Sequence, residues 1–261
     1  MLGLPDVLAV LSGALVGFML GLVGGGGSIL AVPLLVYVVG VSSPHVAIGT
    51  SAAAVAVSAA ANLVGHARAG NVKWSCAIVF AAFGTIGAAG GAALGKMVDG
   101  GRLLALFGVL MVGVGLLMLR PRRSAGDAGV RLTLANAPRL LPLLVGFGFG
   151  VGLLSGFFGI GGGFLIVPGL VGATAMPLIS AIGSSLVAVT AFGLTTAVSY
   201  AVSGLVDWGL ALLFVIGGAA GGVLGIWLGA RLAARKRALT LAFSAVVIAV
   251  GVYVIGAAIL N

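Results

Sequence analysis

The sequence has few charged side chains and very few acidic ones. Of its 261 residues, 13 are Lys or Arg and only four are acidic, all of them Asp. Charged residues make up 7% of the chain, against about 25% in a typical soluble domain. Hydrophobic residues reach 61%. This composition excludes a soluble enzyme, a secreted disulfide scaffold and a disordered tail, and it predicts an integral membrane protein.

Chemically active clusters are also missing from the sequence. The single cysteine, Cys76, has no partner for an internal disulfide. We find no pair of carboxylates placed for catalysis, no cluster of metal ligands and no phosphate loop, so we expect no enzymatic activity, no cofactor and no metal site. The net charge of +9 does not indicate a nucleic-acid partner, because the basic residues lie in short loops between apolar runs.

The chain contains an internal repeat. The stretch that begins at Gly21 returns at Gly156, an offset of 135 residues, and the stretch that begins at Ala47 returns at Ala181, an offset of 134. A register this constant over most of each half indicates a duplicated unit. We predict a first membrane repeat over 1–119, a basic cytoplasmic linker over 120–139 and a second membrane repeat over 140–261.

Basic residues predict how often the chain crosses the membrane. Each repeat has five apolar segments, and the second of these, 28–40 or 163–175, is shorter than the roughly 20 residues of a full crossing. If all ten segments cross, 11 of the 13 basic residues lie on one side, in loops 66–73, 120–139 and 231–237. If the short segments are re-entrant, the split is seven to six.

Because basic residues in short loops stay cytoplasmic, the more unequal split is favoured. We therefore predict an all-α integral membrane protein of about ten transmembrane segments, with glycine-broken short helices and both termini periplasmic. Five crossings in each unit make the second repeat inverted relative to the first. Inverted repeats are typical of secondary transporters, whose substrate site lies at the repeat interface near the midplane.

A glycine run and a proline mark each short segment. Contiguous glycines and proline favour a break in the helix, which would leave free N–H groups that bind an anion. The candidate residues are Gly24, Gly25, Gly26, Gly27, Ser28 and Pro33 in the first repeat, and Gly159, Gly161, Gly162, Gly163 and Pro168 in the second. Helix packing is the alternative, and we prefer it for the glycines spaced by four, which are Gly87, Gly91, Gly95, Gly221, Gly225 and Gly229.

A second repeated pattern is a glycine followed by two hydroxyl residues, early in a long apolar segment. The candidates are Gly49, Thr50 and Ser51 in the first repeat, and Gly183, Ser184 and Ser185 in the second. Their hydroxyls donate to an anion or, alternatively, bond to carbonyls of the preceding helical turn. Recurrence in both halves favours function. We therefore predict that these residues and the glycine runs together bind the substrate.

The two motifs, G-x-x-G-x-G-G-(G)-x-x-x-V-P followed by A-x-G-T/S-S, resemble those of the sulfite exporter TauE/SafE family of anion permeases. The resemblance covers nearly the whole chain. It implies a permease of the bacterial inner membrane that exports sulfite, thiosulfate or organosulfonates. The sequence departs from the family pattern at Gly25, which replaces an aliphatic residue, and at Ser28, which stands where the second copy has Gly163.

Two other functions stay open at this point. One is a membrane assembly or accessory subunit that transports nothing, in which the glycines only pack helices. The other is a transporter of cations or metabolites, which would be expected to carry carboxylates that the apolar segments lack. Besides the anion, we expect membrane lipid as a partner, and homo-oligomerisation stays open. The absence of a carboxylate to couple protons or sodium favours uniport-like export, and proton coupling through the anion's own titration is the alternative.

Overall fold

The computed structural model describes residues 3–23, 25–119, 132–133, 136–159, 163–231 and 236–260. Gly24, Gly161, Gly162 and most of the predicted linker lie outside these ranges. After the first helix, a short helical segment combines 3₁₀ turns over Gly25–Leu30, an α-helical turn over Ala31–Pro33 and π-helical turns over Leu34–Val39, and we call it α2. The other helices are α1 (Leu4–Val23), α3 (Pro44–Arg68), α4 (Trp74–Met97), α5 (Gly100–Leu119), α6 (Ala137–Phe158), α7 (Gly163–Thr174), α8 (Leu178–Val202), α9 (Trp208–Arg231) and α10 (Lys236–Leu260).

Regular structure in the described residues is entirely helical, which confirms the predicted all-α membrane fold. In the part of the chain that the structure describes, eight helices are long and apolar enough to cross a membrane, by length and composition. Two are shorter, Gly27–Val39 and Gly163–Thr174, and they follow the two glycine runs. The helices begin where local sequence favours it. For example, Ser43 accepts a hydrogen bond from the N–H of Val46 at the start of α3, where Pro44 occupies the first helical position.

Glycines bring two pairs of helices into close contact, α4 with α6 and α1 with α9. A Cβ atom added at successive glycines of α4 would overlap successive carbonyl oxygens of α6. The pairs are Gly87 with Phe149, Gly91 with Leu153, and Gly95 with Phe157. The same holds between α9 and α1, where the pairs are Gly221 with Ala14 and Gly225 with Phe18. Packing is therefore confirmed for these five glycines, while the surroundings of Gly229 lie outside the described residues.

The same contacts give the relative directions of the helices. Residue numbers rise together along α4 and α6, and along α1 and α9, so the helices of each pair are parallel. By contrast, α3 and α8 are antiparallel, because Gly49 lies against Tyr200 and Gly193 lies against Ala52. The helices α5 and α10 are also antiparallel, and the Ser244 hydroxyl of α10 donates a hydrogen bond to a carbonyl of α5.

Candidate functional site

The first motif hydroxyl of each copy holds the loop before a helix of the other half. Thr50 Oγ1 accepts a hydrogen bond from the N–H of Asp207 at 3.0 Å, just before α9 begins. Ser184 Oγ accepts one from the N–H of Lys73 at 2.8 Å, just before α4 begins. The two bonds join equivalent positions of the repeat. Each copy of the motif therefore docks the other half of the chain.

The motif glycines make room for these loops. A Cβ at Gly49 would overlap the carbonyl oxygen of Leu205, and a Cβ at Gly183 would lie 2.7 Å from the carbonyl oxygen of Asn71. Real Cβ atoms do not approach backbone this closely. Both motif glycines are therefore needed for packing, whatever else they do.

The second motif hydroxyl of each copy bonds within its own helix. Ser51 donates to the carbonyl of Ile48 at 3.0 Å, and Ser185 donates to the carbonyl of Ile182 at 2.8 Å. This is the local bond that serine hydroxyls form when they turn back onto the preceding helical turn. All four motif hydroxyl residues are fully buried. Each has at least one hydrogen-bond partner in the protein.

The structure does not bring the two motif copies together. Gly49 lies against Tyr200, which follows Ser184 by 16 residues in the antiparallel helix α8. At 1.5 Å per residue, the two copies are separated by about 24 Å along the bundle. One small anion therefore cannot touch Thr50 and Ser184 at the same time. Each copy lies toward one end of the bundle.

The two glycine runs have different neighbours in the bundle. Helix α6 ends at Phe158, and Gly159 has φ of 66°, the left-handed conformation that ends many helices. A Cβ there would overlap the side chain of Ile48, so the run adjoins the first motif copy. Gly27 packs against the backbone of α1 at Leu20, and the first turns of α2 contact α7.

The other residues of the glycine runs are buried where the structure describes their surroundings. Ser28, Pro33 and Gly163 are buried, and Pro168 lies inside α7. Gly25 and Gly26 belong to the 3₁₀ turns of α2. The two short helices therefore contact each other inside the bundle, while Gly24, Gly161 and Gly162 lie outside the described residues.

Some buried polar atoms lack a partner. Among the described residues, four buried side-chain atoms have no hydrogen-bond partner, and they are His66 Nδ1, Ser155 Oγ, Thr196 Oγ1 and Tyr200 Oη. Leaving a buried donor or acceptor unsatisfied costs about 1–3 kcal/mol, so such groups are rare and require an explanation. The sequence patterns did not single out Ser155 or Tyr200. The sequence feature that could have pointed to Tyr200 is its position in the repeat, where it is equivalent to His66.

A lysine lies beside one of these residues. Lys96, at the last turn of α4, donates to the carbonyl of Ser199 and to Ser203 Oγ, both at 3.0 Å. Its ammonium nitrogen lies 5.8 Å from the centre of the Tyr200 ring, within the range of a cation–π interaction. His45 Nε2 lies 3.1 Å from the carbonyl oxygen of Val98 at the same end of the bundle. A positive charge is therefore fixed beside the buried tyrosine.

Similarity to known proteins decides the class of this chain. The profile of the family described as "Sulfite exporter TauE/SafE" matches residues 9–254. The chain belongs to the TauE/SafE family. A probable membrane transporter protein of Xylella fastidiosa (strain Temecula1) is 55% identical over 249 residues, which cover 95% of this chain and 94% of that protein. The probable membrane transporter protein YunE of Bacillus subtilis is 30% identical over 239 residues, 84% of this chain and 86% of that protein.

Another relative, a probable membrane transporter protein of Haemophilus influenzae, is 31% identical over 216 residues, 79% of this chain and 76% of that protein. No solved structure matches the chain. The predicted resemblance to the TauE/SafE family is confirmed. This TauE/SafE protein is a multi-pass membrane transporter and not an enzyme.

The loop-docking hydroxyls of this TauE/SafE protein give a prediction about stability. Thr50→Val keeps the shape of the side chain but removes the acceptor for the N–H of Asp207. We expect the free energy of unfolding in detergent to fall by about 1–3 kcal/mol, since that N–H loses its partner. Thr50→Ser keeps the hydroxyl and serves as the control. Thermal unfolding of the purified variants checks this, and equal melting temperatures for the two would contradict the docking role.

Proposed function

We propose that this protein is a permease that exports small sulfur-containing anions, such as sulfite, thiosulfate or organosulfonates, across the bacterial inner membrane. The main support for this proposal is the match to the sulfite exporter TauE/SafE profile over residues 9–254. That range includes both glycine runs and both motif copies. The chemistry of these positions agrees with an anionic substrate. Hydroxyl groups and backbone N–H groups are donors that bind an oxyanion without a formal charge.

The positions of the carboxylates also support an anion rather than a cation. Of the three Asp residues that the structure describes, Asp6 lies in the first turn of α1, and Asp99 and Asp207 lie just before α5 and α9. The carboxylates of Asp99 and Asp207 accept hydrogen bonds from N–H groups at the start of the following helix. They therefore neutralise helix N-termini and stay outside the interior of the bundle.

We further propose that the two membrane repeats, 1–119 and 140–261, are inverted relative to each other. If all ten helices cross the membrane, α3 and α8 run in opposite directions, and so do α5 and α10. If α2 and α7 were re-entrant, the helices of each of these pairs would run in the same direction. The antiparallel contacts between α3 and α8 and between α5 and α10 favour ten crossings. The parallel pairs fit either arrangement.

The distance between the motif copies suggests how the substrate moves. We propose that the anion contacts Gly49–Ser51 and Gly183–Ser185 in succession, one toward each end of the bundle. The glycine runs supply further backbone N–H groups on this path, and the second run does so beside the first motif copy, because Gly159 lies against Ile48. Thr50 and Ser184 use their oxygen atoms as acceptors in the docking bonds, so their protons stay available for an anion.

Orientation gives a separate prediction. We propose that both termini and the loop over 96–102 are periplasmic, because 11 of the 13 basic residues then face the cytoplasm. In a Cys76→Ala background, we expect Gly101→Cys to react with a membrane-impermeant maleimide in intact cells. Asp127→Cys in the linker should react only after permeabilisation. Labelling of residue 127 in intact cells would contradict this orientation.

The proposed function is tested by reconstitution. The purified chain alone, in liposomes, is expected to take up radiolabelled sulfite, thiosulfate or an aminosulfonate faster than protein-free liposomes do. Sodium and an amino acid without a sulfonate serve as controls for substrate class. If no anion moves although the protein is folded and inserted, the chain is an accessory subunit. If sodium moves instead, the substrate class is wrong.

A further inference from the structure

We propose that the hydroxyls of Ser155, Thr196 and Tyr200 form an oxyanion-binding subsite between α4, α6 and α8, as a row of donors that the anion contacts in succession. This inference rests on the proposed function, since it assigns a place to the transported anion. It uses residues outside both sequence motifs. The ligand is a small sulfur oxyanion, such as sulfite or the sulfonate head of an organic molecule.

The first argument is that these three buried hydroxyls have no hydrogen-bond partner in the protein. Threonines in α4 and α8 normally satisfy their hydroxyls with the carbonyl four residues earlier, as Thr85, Thr190 and Thr195 do at 2.8 Å. Thr196 belongs to the same helix as two of them, is fully buried and makes no such bond. Ser155 is likewise fully buried and unpartnered. A buried donor without a partner indicates a missing acceptor.

The second argument is that Ser155 and Thr196 lie at one level of the bundle. On α4, Gly84 is contacted both by Gly152 of α6 and by the ring of Phe192 of α8. The helices are parallel, so the residues one turn further along lie at the next level. These are Gly156 of α6, which packs against Ala88, and Thr196 of α8. Ser155 immediately precedes Gly156. The two hydroxyls therefore lie on neighbouring helices at the depth of Ala88.

Tyr200 extends this row by one more turn of α8. Residues four apart lie on the same face of a helix, so Thr196 and Tyr200 both face α4. The Tyr200 hydroxyl would lie only 3.2 Å from a Cβ at Gly95, in the contact between α4 and α6. The side chain is fully buried, and its hydroxyl has no partner. The three donors thus follow one line through the interior, along the parallel helices α4, α6 and α8.

The charges around this line favour an anion. The Lys96 ammonium lies 5.8 Å from the centre of the Tyr200 ring. It is therefore at the end of the line of hydroxyls that is nearest the C-terminus of α4. The nearby carboxylates of Asp99 and Asp207 are bonded to N–H groups at the starts of α5 and α9. His45 faces the carbonyls of Gly95 and Val98. A fixed cation and three hydroxyl donors form the surroundings that a small oxyanion needs.

The experiment replaces each hydroxyl without changing the shape of its side chain. Thr196→Val and Tyr200→Phe are compared with Thr195→Val, whose hydroxyl bonds to the carbonyl of Ala191 and is the matched control. Without ligand, we expect Thr196→Val and Tyr200→Phe to melt at the wild-type temperature or above, because each removes an unsatisfied buried group. The sulfite concentration needed for half of the thermal stabilisation should rise about tenfold or more in at least one of these two variants, and by less than twofold in Thr195→Val.

The outcomes separate this subsite from the proposed function. If the wild type binds and transports sulfite while Thr196→Val, Tyr200→Phe and Ser155→Ala all bind it within twofold of the wild type, the subsite is wrong and the proposed function stands. If the wild type neither binds nor transports any anion of the panel, both are wrong. If Thr196→Val and Tyr200→Phe melt several degrees lower without ligand, the hydroxyls are structural and the subsite is overturned.

Discussion

Gly91→Leu should prevent the chain from folding, whereas Gly90→Leu, one residue earlier on the same helix, should be tolerated. A Cβ at Gly91 would overlap the carbonyl oxygen of Leu153 in α6, which belongs to backbone and cannot rotate away. At Gly90 no atom lies within 4 Å of the added Cβ. Overpacking of this kind costs about 1–3 kcal/mol or more, and separating two parallel helices would also lose their packing.

The yield of monodisperse protein after detergent extraction measures this difference. We expect little or none for Gly91→Leu and a yield near that of wild type for Gly90→Leu. Gly221→Leu should fail like Gly91→Leu, because its Cβ would overlap the carbonyl oxygen of Ala14 in the equivalent contact between α9 and α1. Equal yields for the Gly90 and Gly91 variants would contradict the close approach of α4 and α6.

Gly159→Ala should lower anion transport at least tenfold. Gly159 has φ of 66°, where a residue with a Cβ is strained by about 1–2 kcal/mol. In addition, the Cβ would overlap the side chain of Ile48, which immediately precedes the motif glycine Gly49. The substitution therefore displaces the second glycine run from the first motif copy, both of which we place on the path of the anion. Flux in liposomes and melting temperature are measured together.

Two further variants separate strain from displacement. Gly40→Ala introduces a Cβ at φ of 85° with no atom within 4 Å, so it carries the backbone strain alone and should transport like the wild type. Adding Ile48→Ala to Gly159→Ala removes the overlapping methyl group and should restore part of the flux. If Gly40→Ala reduces transport as much as Gly159→Ala does, the contact with Ile48 is not the cause.

The number and length of the helices could be predicted from the sequence, because apolar runs, prolines and basic loops determine where a nearby helix begins and ends. The predicted short segment 163–175 corresponds to α7 over Gly163–Thr174, and the duplicated glycines spaced by four identify real helix contacts. Such packing can be predicted from the sequence because a backbone carbonyl of one helix can approach another helix only where a side chain is missing. The repeat offset also relates Thr50 to Ser184, whose two docking bonds are equivalent.

The arrangement of the candidate site could not be predicted in the same way. Repetition shows that Thr50 and Ser184 are equivalent, but equivalent residues of antiparallel helices can lie at opposite ends of a bundle. The hydroxyls of Ser155, Thr196 and Tyr200 differ from that of Thr195 only in what surrounds them. Whether a buried hydroxyl has a partner depends on the packing of several helices, and no local pattern contains that information.

The most direct test of the central claim is sulfite movement driven by a membrane potential. The purified chain is reconstituted in liposomes, and a potassium gradient with valinomycin sets the potential. Because a potential of 100 mV is worth about 2.3 kcal/mol per charge, uniport-like transport should accumulate radiolabelled sulfite in vesicles made positive inside and exclude it when the sign is reversed. Sulfite uptake equal to that of protein-free liposomes at both signs of potential would contradict the account.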